Sequence, residues 1–336
     1  MSRRIAYLSF TDRGAALAEQ LRAVLGGRAS RAGETGYGSL AQWTQAAFQG
    51  DWDALVFVGA AGIAVRAVAP CLKSKAEDPA VVAVDETGRF AVPLVSGHLG
   101  GANDLAHAIG RVCGAVPVIT TATDRNGVFP VDQWARRQGC AIPEVWKIKK
   151  VSARLLAGEE IQIRSAWPVE GMPPEGVSLT AGPGEDVTVD LCRGEGNALP
   201  VVPRAAVLGV GCRRGISEQA LETAFAALCK DTGLWPQAVC GTATIDLKAE
   251  ETGLIHWCAK HGWPLTFYTP AQLREAEGRF TASAFVARTT GVDNVCERGA
   301  VLAAGGPLWA RKHGGGGVTM AVARKPLRLD WSWLDG

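Results

Sequence analysis

The sequence predicts an α/β protein: two open α/β domains with largely parallel sheets, joined by a small irregular middle domain. Three observations predict it. Short apolar runs of strand length alternate with longer amphipathic runs, first over residues 5–137 and again over 206–323. Glycine is abundant at 41 residues, and four of the apolar runs end in loops of small residues that lead into a helix start. Between the two alternating stretches lies a proline-punctuated segment of different texture. The boundaries that follow are 1–138, 139–204 and 205–336.

In the first domain, Ile5–Phe10 reads as a strand and Ala15–Leu25 as the helix after it. Ala54–Val58 and Ile63–Val68 repeat that pair. Val81–Val84 and Phe90–Val95 flank Asp85-Glu86-Thr87-Gly88, a hairpin turn, so one antiparallel piece is expected. Asn103–Val112 reads as a helix, Val116–Thr120 as a strand and Asp132–Arg137 as a helix. In the middle segment Pro143, Pro168, Pro173, Pro174, Pro183, Pro200 and Pro203 punctuate short strands such as Ile161–Arg164 and Val187–Leu191. The last domain opens with strand Ala206–Val210 and helix Glu218–Lys230. Strand Ala243–Leu247, helix Leu254–His261, strand Leu265–Tyr268 and helix Val292–Ala304 follow. Val318–Ala323 closes the domain after Gly314–Gly317, and the tail Trp331–Leu334 is expected to pack onto it, since an apolar end needs cover.

Composition excludes several classes. With 336 residues the chain is too long for one ordinary core. Hydrophobic residues at 47% and charged residues at 20% are usual for a globular chain. A net charge of +2 gives no reason to expect a nucleic-acid or membrane partner. No run of about eighteen apolar residues exists, so no membrane span is expected. The N-terminus reads as strand, turn and helix rather than as a signal peptide. Nine cysteines are scattered at 71, 113, 140, 192, 212, 229, 240, 258 and 296 without a C-x-x-C pair. That pattern points to reduced thiols in the cytoplasm and against a structural zinc site.

The chemistry is expected in the four glycine-rich loops: VFVGAAGIAV, LVSGHLGGAND, VITTATDRNG and VLGVGCRRGIS. Ligands of open α/β sheets sit beyond the carboxyl ends of strands, where such loops lie. Amides at helix starts favour anions. The first loop contributes Gly59 and Gly62. The second contributes Ser96, Gly97, His98, Gly100, Gly101 and Asn103. There, His98 reads either as a general acid/base beside oxyanion-binding amides or as a loop histidine bonded to a carbonyl. Asn103 reads as a helix cap or a further donor. The third loop offers the hydroxyls of Thr120, Thr121 and Thr123, with Asp124 as a turn cap. The fourth offers Gly209, Gly211, Cys212 and Arg213. GVGCRRG departs from a dinucleotide fingerprint by one residue and has no acidic partner at the usual distance. Cys212 has no histidine near it in sequence, which favours an inert thiol. Arg213 suits carboxylates.

VFVGAAGIAVRAVAP, VDETGRFAVPLVSGHLGGAND and VITTATD resemble the N-terminal part of the cobalt-precorrin-5A hydrolase (CbiG) family of anaerobic cobalamin biosynthesis. LGVGCRRG, TIDLKAEE and TGVDNVCERGAVLAAGG resemble its C-terminal part, and VSARLLAGEEIQI its middle. The resemblance covers nearly the whole chain in one order. It implies a cobalt-bearing tetrapyrrole substrate whose ring-A δ-lactone is opened with water, releasing acetaldehyde. The cobalt then belongs to the substrate, and no protein metal or organic cofactor is implied. It implies neighbouring enzymes of the cobalamin pathway as protein partners and leaves the oligomer open. Arg66, Arg125 and Arg213 become candidates to hold the macrocycle's acetates and propionates. Lys248 and Glu250 become a second acid/base pair, or else a solvated surface pair. Two other readings stay open: a nucleotide-dependent oxidoreductase built on GVGCRRG, and a non-catalytic tetrapyrrole carrier.

Overall fold

The computed structural model describes residues 4–74, 77–97, 100–120, 127–194 and 196–333. By contacts the chain divides into two compact units. One holds residues 1–137, 148–159 and 332–336, the other 138–147 and 160–331.

The first unit is built on a six-stranded sheet of β1 (Ile5–Ser9), β2 (Arg28–Arg31), β3 (Ala54–Val58), β4 (Ala80–Val84), β5 (Phe90–Val95) and β6 (Val116–Pro117), in the order β2-β1-β3-β4-β5-β6. β1 to β4 run parallel. The turn at Asp85–Gly88 reverses the chain, because the Asp85 carboxylate takes the amides of Thr87, Arg89 and Phe90 and Gly88 has φ +70°. β5 is therefore antiparallel to β4, and β6 parallel to β5. The central strands are apolar throughout because both faces are covered. Tyr7, Val56 and Val82 pack on one side with Leu21 of helix α1 (Asp12–Leu25) and Ile109 of a helix introduced below. Leu8, Phe57 and Val81 pack on the other with Trp43 of α2 (Leu40–Gln49) and Ala64 of α3 (Ala61–Val68). Ile109 belongs to α4 (Ala102–Cys113), which the ion pair of buried Asp104 with half-buried Arg136 ties to α5 (Val131–Arg137). Helix α6 (Ile148–Leu156) completes this unit. Trp333 also packs here, edge-on to Phe129 at 5.7 Å, so the tail does not sit wholly with the last domain.

The second unit holds two five-stranded sheets. The proline-rich segment supplies β7 (Cys140–Ala141), β8 (Ile161–Ser165), β9 (Val169–Glu170), β10 (Val177–Leu179), β11 (Val187–Val189) and β12 (Leu199–Pro203). Five of these pair in the order β10-β8-β11-β12-β7, parallel except at β7, and β9 instead pairs with β18 (Leu329–Asp330). The other sheet comprises β13 (Ala206–Cys212), β14 (Val239–Ile245), β15 (Leu265–Tyr268), β16 (Leu308–Gly315) and β17 (Val318–Arg324), in the order β15-β14-β13-β17-β16. Its helices are α7 (Glu218–Thr232), α8 (Thr252–Lys260), α9 (Pro270–Glu275), α10 (Ala284–Thr290) and α11 (Cys296–Ala304). β13, β14 and β15 are parallel, while β16 and β17 form an antiparallel hairpin beside β13.

Three elements differ from expectation for local reasons. The strand expected to run to Leu247 ends at Ile245, because Asp246–Lys248 forms a 3-10 turn. The helix expected from Val292 begins at Cys296, because the Asn294 side chain accepts the Glu297 amide at 2.8 Å and turns the chain. The strand expected to reach Thr120 stops at Pro117.

Candidate functional site

The first unit does not bring its three candidate loops to one place. Gly59 and Gly62 follow β3, at the edge where the Gly59 amide meets Val84 O at 2.7 Å. Ser96 to Gly101 follow β5, which runs the other way, and Ser96 Oγ donates to Asp78 O at the opposite edge, where β4 begins. Thr120 follows β6, a two-residue strand that pairs with Phe90 and Ala91 at the start of β5. Five strand residues at ~3.3 Å each put roughly 16 Å between the two edges. Gly59, Gly62 and Arg66 therefore form one group, and Ser96, Gly97, Gly100, Gly101 and Asn103 another. The expectation that all these loops share the sheet's carboxyl edge is corrected by the hairpin at Asp85–Gly88. His98, Thr121, Thr123 and Arg125 lie outside the described residues.

Around Ser96 the chain ties a tight knot. Ser96 has φ +55°, the left-handed value of a non-glycine residue, the one such case among the described residues. The Ala102 and Asn103 amides, at the start of α4, donate to Ser96 O and Gly97 O at 3.1 and 3.0 Å. Those two helix-start donors are thus used by the loop itself. A Cβ on Gly100 would lie 2.4 Å from Ser96 Cβ, and one on Gly97 would lie 2.9 Å from Asn103 Oδ1. These glycines make room for the loop's own turn. Gly101, at φ +79°, takes the N-cap position, and Asn103 lies inside α4, buried, rather than capping it. Strain at a non-glycine residue of this kind gathers at functional sites. Gly62 differs: it faces open space, and Arg66 is exposed.

The second unit does assemble a site. A cavity of about 610 Å³ opens beyond the carboxyl ends of β13 and β14, lined by Gly211, Cys212, Arg213, Thr244 and Lys248. The β16–β17 hairpin and α10 supply its other walls, through Lys312, Gly317 and Thr319 and through Phe285 and Val286. Gly209 is not among the lining residues. It is buried under α11, where a Cβ would lie 1.7 Å from Cys296 O, so its role is to admit that helix.

Two carboxylates organise this cavity. The Glu251 carboxylate accepts the Gly215 and Ile216 amides at 2.8 and 3.1 Å through Oε1 and the Lys248 ammonium at 3.1 Å through Oε2. It thereby fixes the loop after β13 and the lysine in the wall at once. Burial alone would raise this carboxyl, but the hydrogen bond and charge of Lys248 and the two amides outweigh it and hold it below the usual carboxylate range. Glu250, paired with Lys248 on sequence grounds, is exposed and has no hydrogen bond or ion pair among the described residues. Residues three apart on a helical turn face each other and residues two apart do not. The fully buried Glu297 accepts Thr281 N and Oγ1 at 2.6 and 2.9 Å, Asn294 Nδ2 at 3.0 Å and Lys312 N at 2.8 Å. It pins the 281–283 loop and β16 to α11. Cys212 is pushed up to about 11, by burial first, with Lys248 opposing and Glu251 adding. That favours a neutral thiol in the cavity wall near pH 7.

The family model described as cobalamin synthesis G N-terminal matches residues 42–124, and that described as cobalamin synthesis G C-terminus matches 206–323. A curated protein of Salmonella typhimurium named cobalt-precorrin-5A hydrolase is 33% identical over 95% of this chain and 97% of its own length. The chain belongs to the CbiG family. A Priestia megaterium protein of the same name is 32% identical over 81% of this chain and 78% of its own. A solved structure described as a cobalamin biosynthesis protein G homolog from Sulfolobus solfataricus is 21% identical over 96% of this chain and 98% of its own, with a TM-score of 0.41.

The CbiG N-terminal match spans both loop groups of the first unit, and the CbiG C-terminal match spans the whole cavity. Sequence reasoning missed two residues that line that CbiG cavity, Phe285 and Lys312, and two carboxylates that hold its wall, Glu251 and Glu297. The signal for Glu251 was present in TIDLKAEE, at i+3 from Lys248. Phe285 and Lys312 come from elements the sequence reading did not recognise. Among the described residues, no three of His, Cys, Asp or Glu come together as a metal site, and no helix is long and apolar enough to cross a membrane. All nine cysteines are free thiols.

Proposed function

We propose that this chain is a cobalt-precorrin-5A hydrolase of anaerobic cobalamin biosynthesis. It opens the ring-A δ-lactone of a cobalt-bearing tetrapyrrole with water and releases acetaldehyde to give cobalt-precorrin-5B. The observation that carries this is the 33% identity, over 95% of the chain, to the Salmonella protein of that name. Water adds to the lactone carbonyl, giving up a proton to a base, and the acyl–oxygen bond breaks to leave a carboxylate and a secondary alcohol. Loss of the alcohol proton lets the carbon–carbon bond break. The carbonyl of acetaldehyde forms, and the electron pair enters the conjugated macrocycle.

His98 is proposed as the base, with Lys248 and Glu250 as the alternative acid/base pair. The cavity of the second unit supports the substrate reading. Arg213, Arg214 and Lys312 line it without ionic partners among the described residues, so carboxylates meet unpaired cations there. The dinucleotide reading of GVGCRRG loses support, since the Gly215 and Ile216 amides already bind a carboxylate. We read cobalt as arriving with the substrate and no cofactor as resident. Chelation should then leave turnover unchanged, and a loss restored only by zinc or iron would overturn that. The two family matches lie on either side of 139–204, while by contacts the strands of that segment group with the second unit. The free thiols support a cytoplasmic protein, with neighbouring enzymes of the pathway as expected partners.

The test is anaerobic incubation with the cobalt lactone in heavy-oxygen water, followed by mass spectrometry of the tetrapyrrole. The hydrolase reading expects loss of two carbons and one heavy oxygen in the new carboxylate. A tetrapyrrole recovered unchanged from a tight complex would identify a carrier instead.

A further inference from the structure

We propose that α10 and the β16–β17 hairpin form the recognition wall for the macrocycle: Phe285 meets a ring face, and Lys312 with Arg213 takes a peripheral carboxylate. The proposal rests on the hydrolase reading above. Helix α10 buries none of its residues, and Phe285 is 68% exposed although it lines the cavity. An aromatic side chain left in water at a cavity mouth, with no core to join, suits a planar conjugated partner. The helix is nevertheless held at both ends. Ser283 accepts the Val286 amide and donates its own amide to Asp293 O at 2.9 Å, while Thr290 Oγ1 donates to Val292 O at 3.1 Å. Its outer face is therefore presented on a fixed support.

The two cations are placed with similar care. Glu297 holds the Lys312 amide at 2.8 Å and so sets where that side chain leaves β16. The Arg213 amide donates to Gly317 O at 3.0 Å, and a Cβ on Gly317 would lie 2.8 Å from Arg213 Cδ. Glycine at 317 keeps the space in which the Arg213 stem lies. Asp293, the acidic side chain of the wall, is already paired with Arg298 at 2.9 Å and does not cancel these charges. An apolar wall with unpaired cations recognises a ring whose faces are apolar and whose rim carries carboxylates.

The test compares the full chain with Phe285→Ala and Lys312→Ala, using the cobalt lactone for kinetics and cobyrinic acid, a carboxylated corrinoid, for binding. Each variant should raise KM and weaken cobyrinic acid binding by about tenfold, the loss of one good contact, with kcat largely kept. Phe285→Tyr and Lys312→Arg should restore most of the binding. Unchanged KM and binding in Phe285→Ala and Lys312→Ala, with the parent turning over, would overturn the recognition wall and leave the hydrolase reading standing. A parent that binds both ligands without turnover, with binding weakened in the variants, would overturn the hydrolase reading and keep the wall.

Discussion

Lys248 is bound by Glu251, at 3.1 Å, and the same carboxylate takes the amides of Gly215 and Ile216. One side chain thus holds both a charged residue of the cavity and the loop that carries Arg213. Glu251→Ala would leave the ammonium and two amides unanswered, and we expect it to cost about 3 kcal/mol, as for removal of one partner of a buried pair. Glu250→Ala should stay within about 0.5 kcal/mol, as for an ordinary surface change. Denaturant unfolding of the two variants checks the contrast, and equal effects would contradict it.

The pH dependence follows from the same residue. The Glu251 carboxyl is held below its ordinary value in the folded chain, so the unfolded chain takes up the proton first as pH falls. Its stabilisation is fully present above the unfolded carboxyl value of about 4.3 and is lost as pH falls through the folded one. Asp85, Glu185 and Glu222 are held low as well, so the informative quantity is a difference. Stability of the parent should fall on acidification below about pH 4.3, and less steeply in Glu251→Gln. Parallel curves would show that Glu251 does not contribute.

The knot at Ser96 predicts opposite outcomes for two glycines. Gly100→Ala should destabilise by about 1–3 kcal/mol, because its Cβ would press on Ser96. Gly62→Ala meets open space in the first turn of α3 and should stabilise by about 0.5 kcal/mol. Thermal melts of both variants decide this, and a neutral Gly100→Ala would contradict the packing described here.

Much of the fold was legible in periodicity. β3 matches its expected limits, and α4 matches to within one residue. The turn at Asp85–Gly88 was legible too, from its residue types. What it does to the site was harder to see, because one reversal sends Ser96 and Gly59 to opposite edges of the same sheet. Glycines of three loops were read as substrate-binding residues. At Gly100 and Gly209 the space beside the backbone is filled by Ser96 and by the α11 backbone, neighbours that only tertiary packing supplies. Helix α10 was missed because only Val286 packs on a core cluster and none of its residues is fully buried, which leaves too little core-facing period to read. Lys312 was missed with β16, a strand whose pairing shifts register twice.

The base is a separate question from the fold. His98→Ala should lower turnover by ~10²–10⁴-fold, the usual range for a lost general base. Single-turnover rates against pH would check it, and a folded variant at the parent rate would pass the proton-transfer role to Lys248 and Glu250.

The central claim is that this chain opens the lactone and breaks the carbon–carbon bond behind it. Acetaldehyde measured during anaerobic incubation of the pure protein with the cobalt lactone tests that most directly. The account predicts acetaldehyde in step with lactone consumed, one for one. A lactone that persists, or one consumed with no acetaldehyde, would contradict it.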